Sequence, residues 1–292
     1  MIMENYLFTG ACTALVTPFL NGQINYPMLE ILLRRQVAAG IPAVVICGTT
    51  GESAALSDKE KINLYHFSKE VVGNACLIIA GSGSNCTSHA VELSCCAEQE
   101  GADALLIVSP YYNKATDDGI IRHYLSIANR TSLPIILYNV PSRTGYDIPI
   151  SAYTCLSRVP NIVGVKEASN DITKILKIRH ACPKDFGIWI GNDEMVIPGI
   201  ALGAQGVISV ASNVYPEEMQ AIATSALNSG MAPARDLFYR IQDFLSAMLC
   251  DVNPVPVKAA MQLIGYDCGE CRLPLTHLSE QNQKLLKKVL QK

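Results

Sequence analysis

Eight short apolar runs punctuate the chain: Ala11–Val16, Ala43–Cys47, Cys76–Ala80, Ala104–Val108, Ile135–Val140, Ile162–Lys166, Gly187–Ile190 and Gly206–Val210. They are rich in Val and Ile and lack polar alternation. That pattern suits strands buried on both faces, as in a parallel sheet. Between them lie segments with apolar residues three and four apart, the period of a helix with one buried face. Pro27–Ala39 carries Met28, Leu29, Ile31, Leu32, Leu33 and Val37, and Gly40 and Pro42 mark its end. Ser57, with Glu60 three residues on, predicts a capping box for the next helix. Thr87–Gln99 ends at Gly101, and Asp117–Asn129 ends before Pro134.

Strands alternating with helices specify a (β/α)8 barrel or a doubly wound sheet. Eight strands within about 210 residues fit the barrel better. No G-x-G-x-x-G follows the first strand, which weakens a dinucleotide-binding reading, and Gly81-Ser82-Gly83 reads as a turn. After Val210 the pattern changes. Glu217–Asn228, Ala232–Leu249, Pro254–Ile264 and Ser279–Gln291 are helical with no strand between them. The expectation is an α/β fold: a (β/α)8 barrel over 1–229 and a C-terminal helical extension over 230–292.

Composition narrows the class. The chain has 292 residues, a net charge of −3 and 17% charged residues. There is no basic footprint for nucleic acid and no polybasic patch for a membrane. Charged residues usually make up about 25% of a chain, so the low figure points to self-association. Eleven cysteines are an odd number, and Met1–Phe8 lacks a cationic region followed by an apolar run. A reduced, cytoplasmic protein is expected rather than a disulfide framework. Cys268 and Cys271 form a lone C-x-x-C without further zinc ligands nearby, and two exposed thiols in a loop are expected. No run of apolar residues is long enough to span a membrane.

In a barrel, chemistry sits where the strands end. Lys166 closes the apolar run Ile162–Val165. An inward lysine there is desolvated, which disfavours its ammonium form, and a neutral amine can attack a ketone to form a Schiff base. The plainer reading is an ion pair with Glu167 or Asp171, or a lysine that reaches the rim. Tyr138 lies one strand earlier at the same height, where a phenol can relay a proton, although a lone strand Tyr is more often core. Arg143 follows Pro141 and can hold a carboxylate with two hydrogen bonds, or form a surface ion pair. Thr49 and Thr50 offer hydroxyls and backbone N–H groups to a carboxylate or phosphate, or simply make a strand-to-helix turn. Tyr111 and Tyr112 could be packing. His66, His89, His123 and His180 fall in helices and His277 in the tail. That counts against His-based catalysis and a His-rich metal site. No metal and no organic cofactor is expected.

The combination is more specific than its parts. Gly48-Thr49-Thr50-Gly51-Glu52-Ser53, Pro110-Tyr111-Tyr112-Asn113, Tyr138-Asn139-Val140-Pro141-Ser142-Arg143-Thr144-Gly145, Val165-Lys166-Glu167-Ala168 and Gly206-Val207-Ile208-Ser209-Val210 occur in order at strand ends. From about Phe8 to Pro274 the chain resembles the dihydrodipicolinate synthase family, within the pyruvate-dependent class I aldolase superfamily that also holds N-acetylneuraminate lyase. The resemblance implies that Lys166 forms an imine with pyruvate and that Thr49 and Thr50 bind the pyruvate carboxylate. It implies a relay of Tyr138, Thr50 and Tyr112, with Tyr112 supplied by the neighbouring subunit of a tight dimer. Arg143 would bind the carboxylate of aspartate semialdehyde, and Gly191 and Ile208 would offer backbone carbonyls. The product would feed lysine and diaminopimelate synthesis, and the assembly would be a homotetramer built as a dimer of dimers.

Two departures follow from the same comparison. Gly191-Asn192-Asp193 stands where the family commonly has Gly-Asp-Asp, and Asn192 receives no role. In lysine-inhibited members an interface site uses positions matched here by Ser53, Ala54, Asn85 and Tyr111. Its helix positions are Asp58 and Lys61, and its Glu position is His89. Weak or absent lysine feedback is expected. Alternative readings are a sialic acid, keto-deoxy-gluconate or hydroxyproline-pathway lyase of the same superfamily, a phosphate-dependent sugar isomerase using Gly203 and Gly206, and a non-catalytic barrel.

Overall fold

A computed structural model describes residues 6–291. Its strands are β1 (Gly10–Ala14), β2 (Phe19–Leu20), β3 (Gln23–Ile24), β4 (Ala43–Ile46), β5 (Leu77–Gly81), β6 (Ala104–Val108), β7 (Ile135–Asn139), β8 (Ile162–Glu167), β9 (Gly187–Ile190) and β10 (Gly206–Ser209). Strand β1 pairs in parallel with both β4 and β10, which closes eight strands into a barrel and excludes the open doubly wound sheet. All eight apolar runs are barrel strands. The antiparallel β2–β3 hairpin was not expected from the sequence. Its strands are too short to show a period, and its only signal is Asn21-Gly22, both at positive φ as a tight hairpin turn requires.

The continuous apolar runs reflect two buried faces. Leu105, Ile107, Leu137, Val165 and Ile188 pack outward with the helical layer. Cys12, Val45, Ile79, Leu106, Ile136 and Ile208 fill the barrel interior. Trp189 closes the inner stack against Phe8, with centroids 4.7 Å apart, and its indole N–H donates to the Phe8 carbonyl at 3.3 Å. Gly164 and Gly187 make room for that indole, since a Cβ on either would meet its ring at 2.6 Å. The capping box is present: Ser57 starts the helix Asp58–Val72 and its N–H donates to Glu60 at 2.8 Å.

The helices Met231–Ala247, Val255–Leu263 and Glu280–Leu290 follow the last barrel helix, Pro216–Asn228. This extension folds back onto the loop after β4 through both a helix and a connection. Lys258 donates to Glu52 at 2.9 Å, with 3% and 1% of the two side chains exposed. The Arg272 N–H donates to the other Glu52 oxygen at 2.8 Å, and its guanidinium pairs with Glu60 at 2.6 Å, holding that carboxyl down to about 2. Lys258 and Arg272 each lie 4.4 Å from the Phe19 ring of the hairpin.

This seam also corrects the reading of the C-x-x-C pair. Cys268 is fully buried and Cys271 half-buried, and burial pushes both thiols up to about 12. The Cys268 carbonyl accepts from Phe19 N–H at 2.9 Å. Gly269, at φ +65, lies so close that a Cβ would sit 2.1 Å from the Phe19 carbonyl oxygen. The hairpin covers the pair, so these thiols are part of a packed joint.

A buried carboxylate without its cation is costly. Lys258→Met should destabilise the chain by about 3–5 kcal/mol in urea unfolding, and Glu52→Gln with Lys258→Met should recover most of that loss. Equal loss in the single and double variants would show that the pair is not the source of the seam's stability.

Candidate active site

The barrel opens at the C-terminal ends of its strands into a cavity of about 660 Å³. Lys166 on β8 stands beside Tyr138 on β7 in register, and its ammonium nitrogen lies 4.6 Å from the phenol ring centroid. A register shift sets this up. Ile162 and Val165 both pack outward although they are three residues apart, which strict alternation forbids. The shift opposite Ile135/Ile136 absorbs one residue, so Lys166 points inward while Glu167 points outward. The alternative ion pairs for Lys166 do not form. Glu167 accepts from Asn139 and from Ser169 N–H, and Asp171 caps the helix Ile172–Ala181 through Thr173 N–H at 2.9 Å.

No motif in the sequence assigns Asp193 a role. One of its oxygens accepts from the Val210 and Ala211 N–H groups at 3.0 and 2.8 Å, tying the loop after β9 to the end of β10. Burial raises its pKa, opposed by the Ser209 hydroxyl, those two amides and the charge of Lys166. The clue in the sequence was its place just past a strand end, which did not reveal its amide partners some seventeen residues on.

The two threonines part company. Thr49 lines the cavity together with Tyr138. Thr50 is only 2% exposed and its hydroxyl accepts from Asn253 Nδ2 at 3.0 Å. Among the described residues no hydrogen bond joins Tyr138 to Thr50 or to Thr49, and Thr49 is the threonine that shares the cavity lining with Tyr138. The turn binds itself, with Gly51 and Ser53 N–H donating to the Gly48 carbonyl and Glu52 N–H to that of Thr49. The Thr49 and Thr50 amides have no backbone acceptor among the described residues. Arg143 sits on the single helical turn Pro141–Thr144 at the cavity mouth, steadied by one bond to the Asn253 carbonyl at 3.1 Å.

Ile208 lies inside the barrel on β10, and Gly191 follows β9 beside Lys166. Tyr112 is not brought to the cavity within one chain. It is 93% exposed and holds φ at +70°, a strained value for an aromatic residue. Its neighbour Tyr111 does line the cavity, tied to the loop after β5 through Asn85 Nδ2 at 3.3 Å. Ser53, Ala54, Asp58, Lys61, Asn85 and His89 line the outer part of the same cavity. There His89 bridges Asp58 at 3.0 Å and Ser84 at 3.1 Å, and Lys61 lies 3.6 Å from Asp58. His123 is buried away from the site, pushed down to about 4 by burial, with Thr87 3.0 Å from its Nδ1. Among the described residues no three His, Cys, Asp or Glu side chains gather as a metal site would need.

Comparison with known proteins agrees over the whole chain. A curated 4-hydroxy-tetrahydrodipicolinate synthase from Acetivibrio thermocellus is 42% identical over 289 residues, spanning 99% of this chain and 98% of that one. The solved structure of the 4-hydroxy-tetrahydrodipicolinate synthase from Methylacidiphilum fumariolicum superposes with a TM-score of 0.96 at 41% identity, covering 97% of this chain and 95% of that one. A dihydrodipicolinate synthase from Cyanidioschyzon merolae, solved with lysine bound, gives 0.95 at 37% identity and covers 98% of each chain. The model of the dihydrodipicolinate synthetase family matches residues 7–292, and the chain belongs to that family.

Proposed function

We propose that this chain condenses pyruvate with L-aspartate 4-semialdehyde through a Schiff base on Lys166, giving 4-hydroxy-tetrahydrodipicolinate and water, the first committed step of diaminopimelate and lysine biosynthesis. The observation that carries the assignment of residues is the in-register pairing of Lys166 with Tyr138 beside a cavity with Arg143 at its mouth.

The chemistry follows from those groups. The Lys166 amine adds to the ketone carbon of pyruvate and water leaves, forming an iminium. The iminium draws electrons from the methyl group, which loses a proton to become an enamine. The enamine carbon bonds to the aldehyde carbon, whose oxygen takes up a proton. The amine of the semialdehyde then attacks the iminium carbon, closes the ring and expels Lys166 as the free amine. Tyr138 carries the protons, and Thr49 is the next hydroxyl in its relay. The Thr49 and Thr50 amides hold the pyruvate carboxylate, and Arg143 holds that of the semialdehyde. Gly191 and Ile208 supply backbone carbonyls beside the intermediate. Tyr112 of the partner subunit completes the relay in a tight dimer, two of which form the homotetramer. Its exposed, strained placement in the single chain supports that reading. Eleven free thiols and the lack of a helix long and apolar enough to cross a membrane, among the described residues, support a place in the cytoplasm.

Borohydride reduction in the presence of pyruvate should leave a reduced pyruvate adduct on the Lys166 peptide. Arg143→Ala should keep that adduct yet lose about 100-fold or more in kcat/KM for the semialdehyde, since charged hydrogen bonds contribute about 1.5–3 kcal/mol each. Unchanged semialdehyde turnover in the variant would move the second substrate elsewhere.

Gly191→Ala should slow imine formation about tenfold or more, because near-attack geometry tolerates little displacement. A Cβ there would lie 2.5 Å from that of Ala168 and 3.1 Å from the Lys166 side chain. A wild-type rate of trapping in this variant would show that Lys166 is not confined by Gly191.

Lysine should change the rate by less than the roughly fivefold that marks weak allosteric coupling. His89 stands where an acid would hold its α-amino group, and Asp58 is already engaged by His89 and Lys61. Strong inhibition by low concentrations of lysine would overturn this.

A further inference from the structure

The geometry points to Asn139 and Glu167 as a positioning clamp that fixes Tyr138 against Lys166, an inference that rests on the Schiff-base reading above. The two residues oppose each other in register, one step beyond the Tyr138–Lys166 pair and on the opposite face of the same two strands. Asn139 Nδ2 donates to both Glu167 carboxylate oxygens, at 3.1 and 3.0 Å, and to Asp147 at 2.8 Å. Asn139 Oδ1 accepts from Ile148 N–H at 3.0 Å. Glu167 also accepts from Ser169 N–H at 2.7 Å and from the Tyr153 hydroxyl at 3.4 Å. Lys174 pairs with Asp147 at the edge of the cluster.

This polar cluster lies among apolar outward-facing strand residues: Leu105, Ile107, Leu137, Val165 and Ile188. A buried polar pair is costly unless satisfied, and a satisfied one specifies a single arrangement. Two features make such a device necessary here. First, β8 carries a register shift just before Gly164, and Gly164 itself has no side chain to hold the strand in place. A slip of one residue beyond that point would turn Lys166 out of the barrel. Second, Tyr138 sits among apolar interior neighbours, so its place against Lys166 is set through the backbone. The clamp also reaches the backbone around the site. Ala168 N–H donates to the Asn139 carbonyl at 2.9 Å, and Gly191 N–H to the Glu167 carbonyl at 2.8 Å.

The test is the single-turnover rate of borohydride-trappable imine formation with pyruvate, measured beside kcat, KM and unfolding for Glu167→Gln, Asn139→Ala and the double variant. Ile178→Val, in the same helical layer but outside the cluster, is the stability control. Each clamp variant should slow imine formation and kcat by about tenfold or more, with the KM for pyruvate within about threefold of wild type. The double variant should be no slower than the worse single one, because the two residues act as a unit. The control should lose stability without slowing the imine. Folded Glu167→Gln that traps pyruvate at the wild-type rate would overturn the clamp, and this milder variant decides the matter should Asn139→Ala not fold. A missing adduct on wild-type Lys166 removes the imine reading and the clamp with it. A wild-type adduct with unslowed variants removes the clamp alone.

Discussion

Two side chains inside a closed parallel sheet can meet only if neighbouring strands keep their register to the residue. Tyr138 and Lys166 depend on that constraint. Side chains alternate across a strand, so a one-residue slip moves a group from the barrel axis to the helical layer. Strand β8 does not follow simple alternation: Ile162 and Val165 both face outward, and the register shift between them is what turns Lys166 inward. Glycines at 164, 187 and 191 then clear space for the Trp189 indole and the Lys166 side chain. Placing one amine thus involves a shift in the ladder, three absent side chains and a polar pair on the far face.

The loop after β4 shows a second form of the same problem. Cys47 and Glu52 both adopt left-handed backbone conformations that cost a non-glycine residue about 1–3 kcal/mol each. Gly81 lets this loop approach, since a Cβ there would sit 2.3 Å from the Cys47 carbonyl oxygen. Between Cys47 and Glu52 the Thr49 and Thr50 amides have no backbone acceptor among the described residues. The loop is stabilised by the C-terminal extension, whose Lys258 and Arg272 N–H grip the Glu52 carboxylate while Asn253 takes the Thr50 hydroxyl. The helices after the barrel therefore belong to the machinery of its rim.

Much of this was legible in the sequence. Strands buried on both faces announce themselves as unbroken Val- and Ile-rich runs, which is why all eight barrel strands were found. Lys166 and Tyr138 each allow a structural explanation taken alone, and it is their occurrence at the same height on successive runs, among the other strand-end motifs, that makes them legible as a site. What stayed hidden depended on long-range contact. The β2–β3 hairpin is too short to carry a period, and without it Cys268 looks like an exposed loop thiol. Thr49 and Thr50 are adjacent and chemically alike, and only the position of Asn253, some two hundred residues later, separates the one that faces the cavity from the one that is held. The sequence offers Glu167 only as an ion-pair partner for Lys166; its pairing with Asn139 is hidden, because polar residues at strand ends do not reveal on which face they fall once a register shift intervenes.

The placement of Tyr112 carries the argument beyond one chain. A bulky aromatic residue with positive φ is held against its own preference, and 93% of it lies in solvent, where no packing within the chain offsets that cost. The loop is not slack: Asn85 and Asn113 exchange hydrogen bonds across it with the Tyr111 and Asn85 carbonyls. A loop built to hold an aromatic ring in solvent makes physical sense if a second surface receives the ring. The low share of charged residues points the same way, since it leaves more of the surface suited to burial against another copy. On that reading the relay through Tyr138 is half-built in the isolated chain.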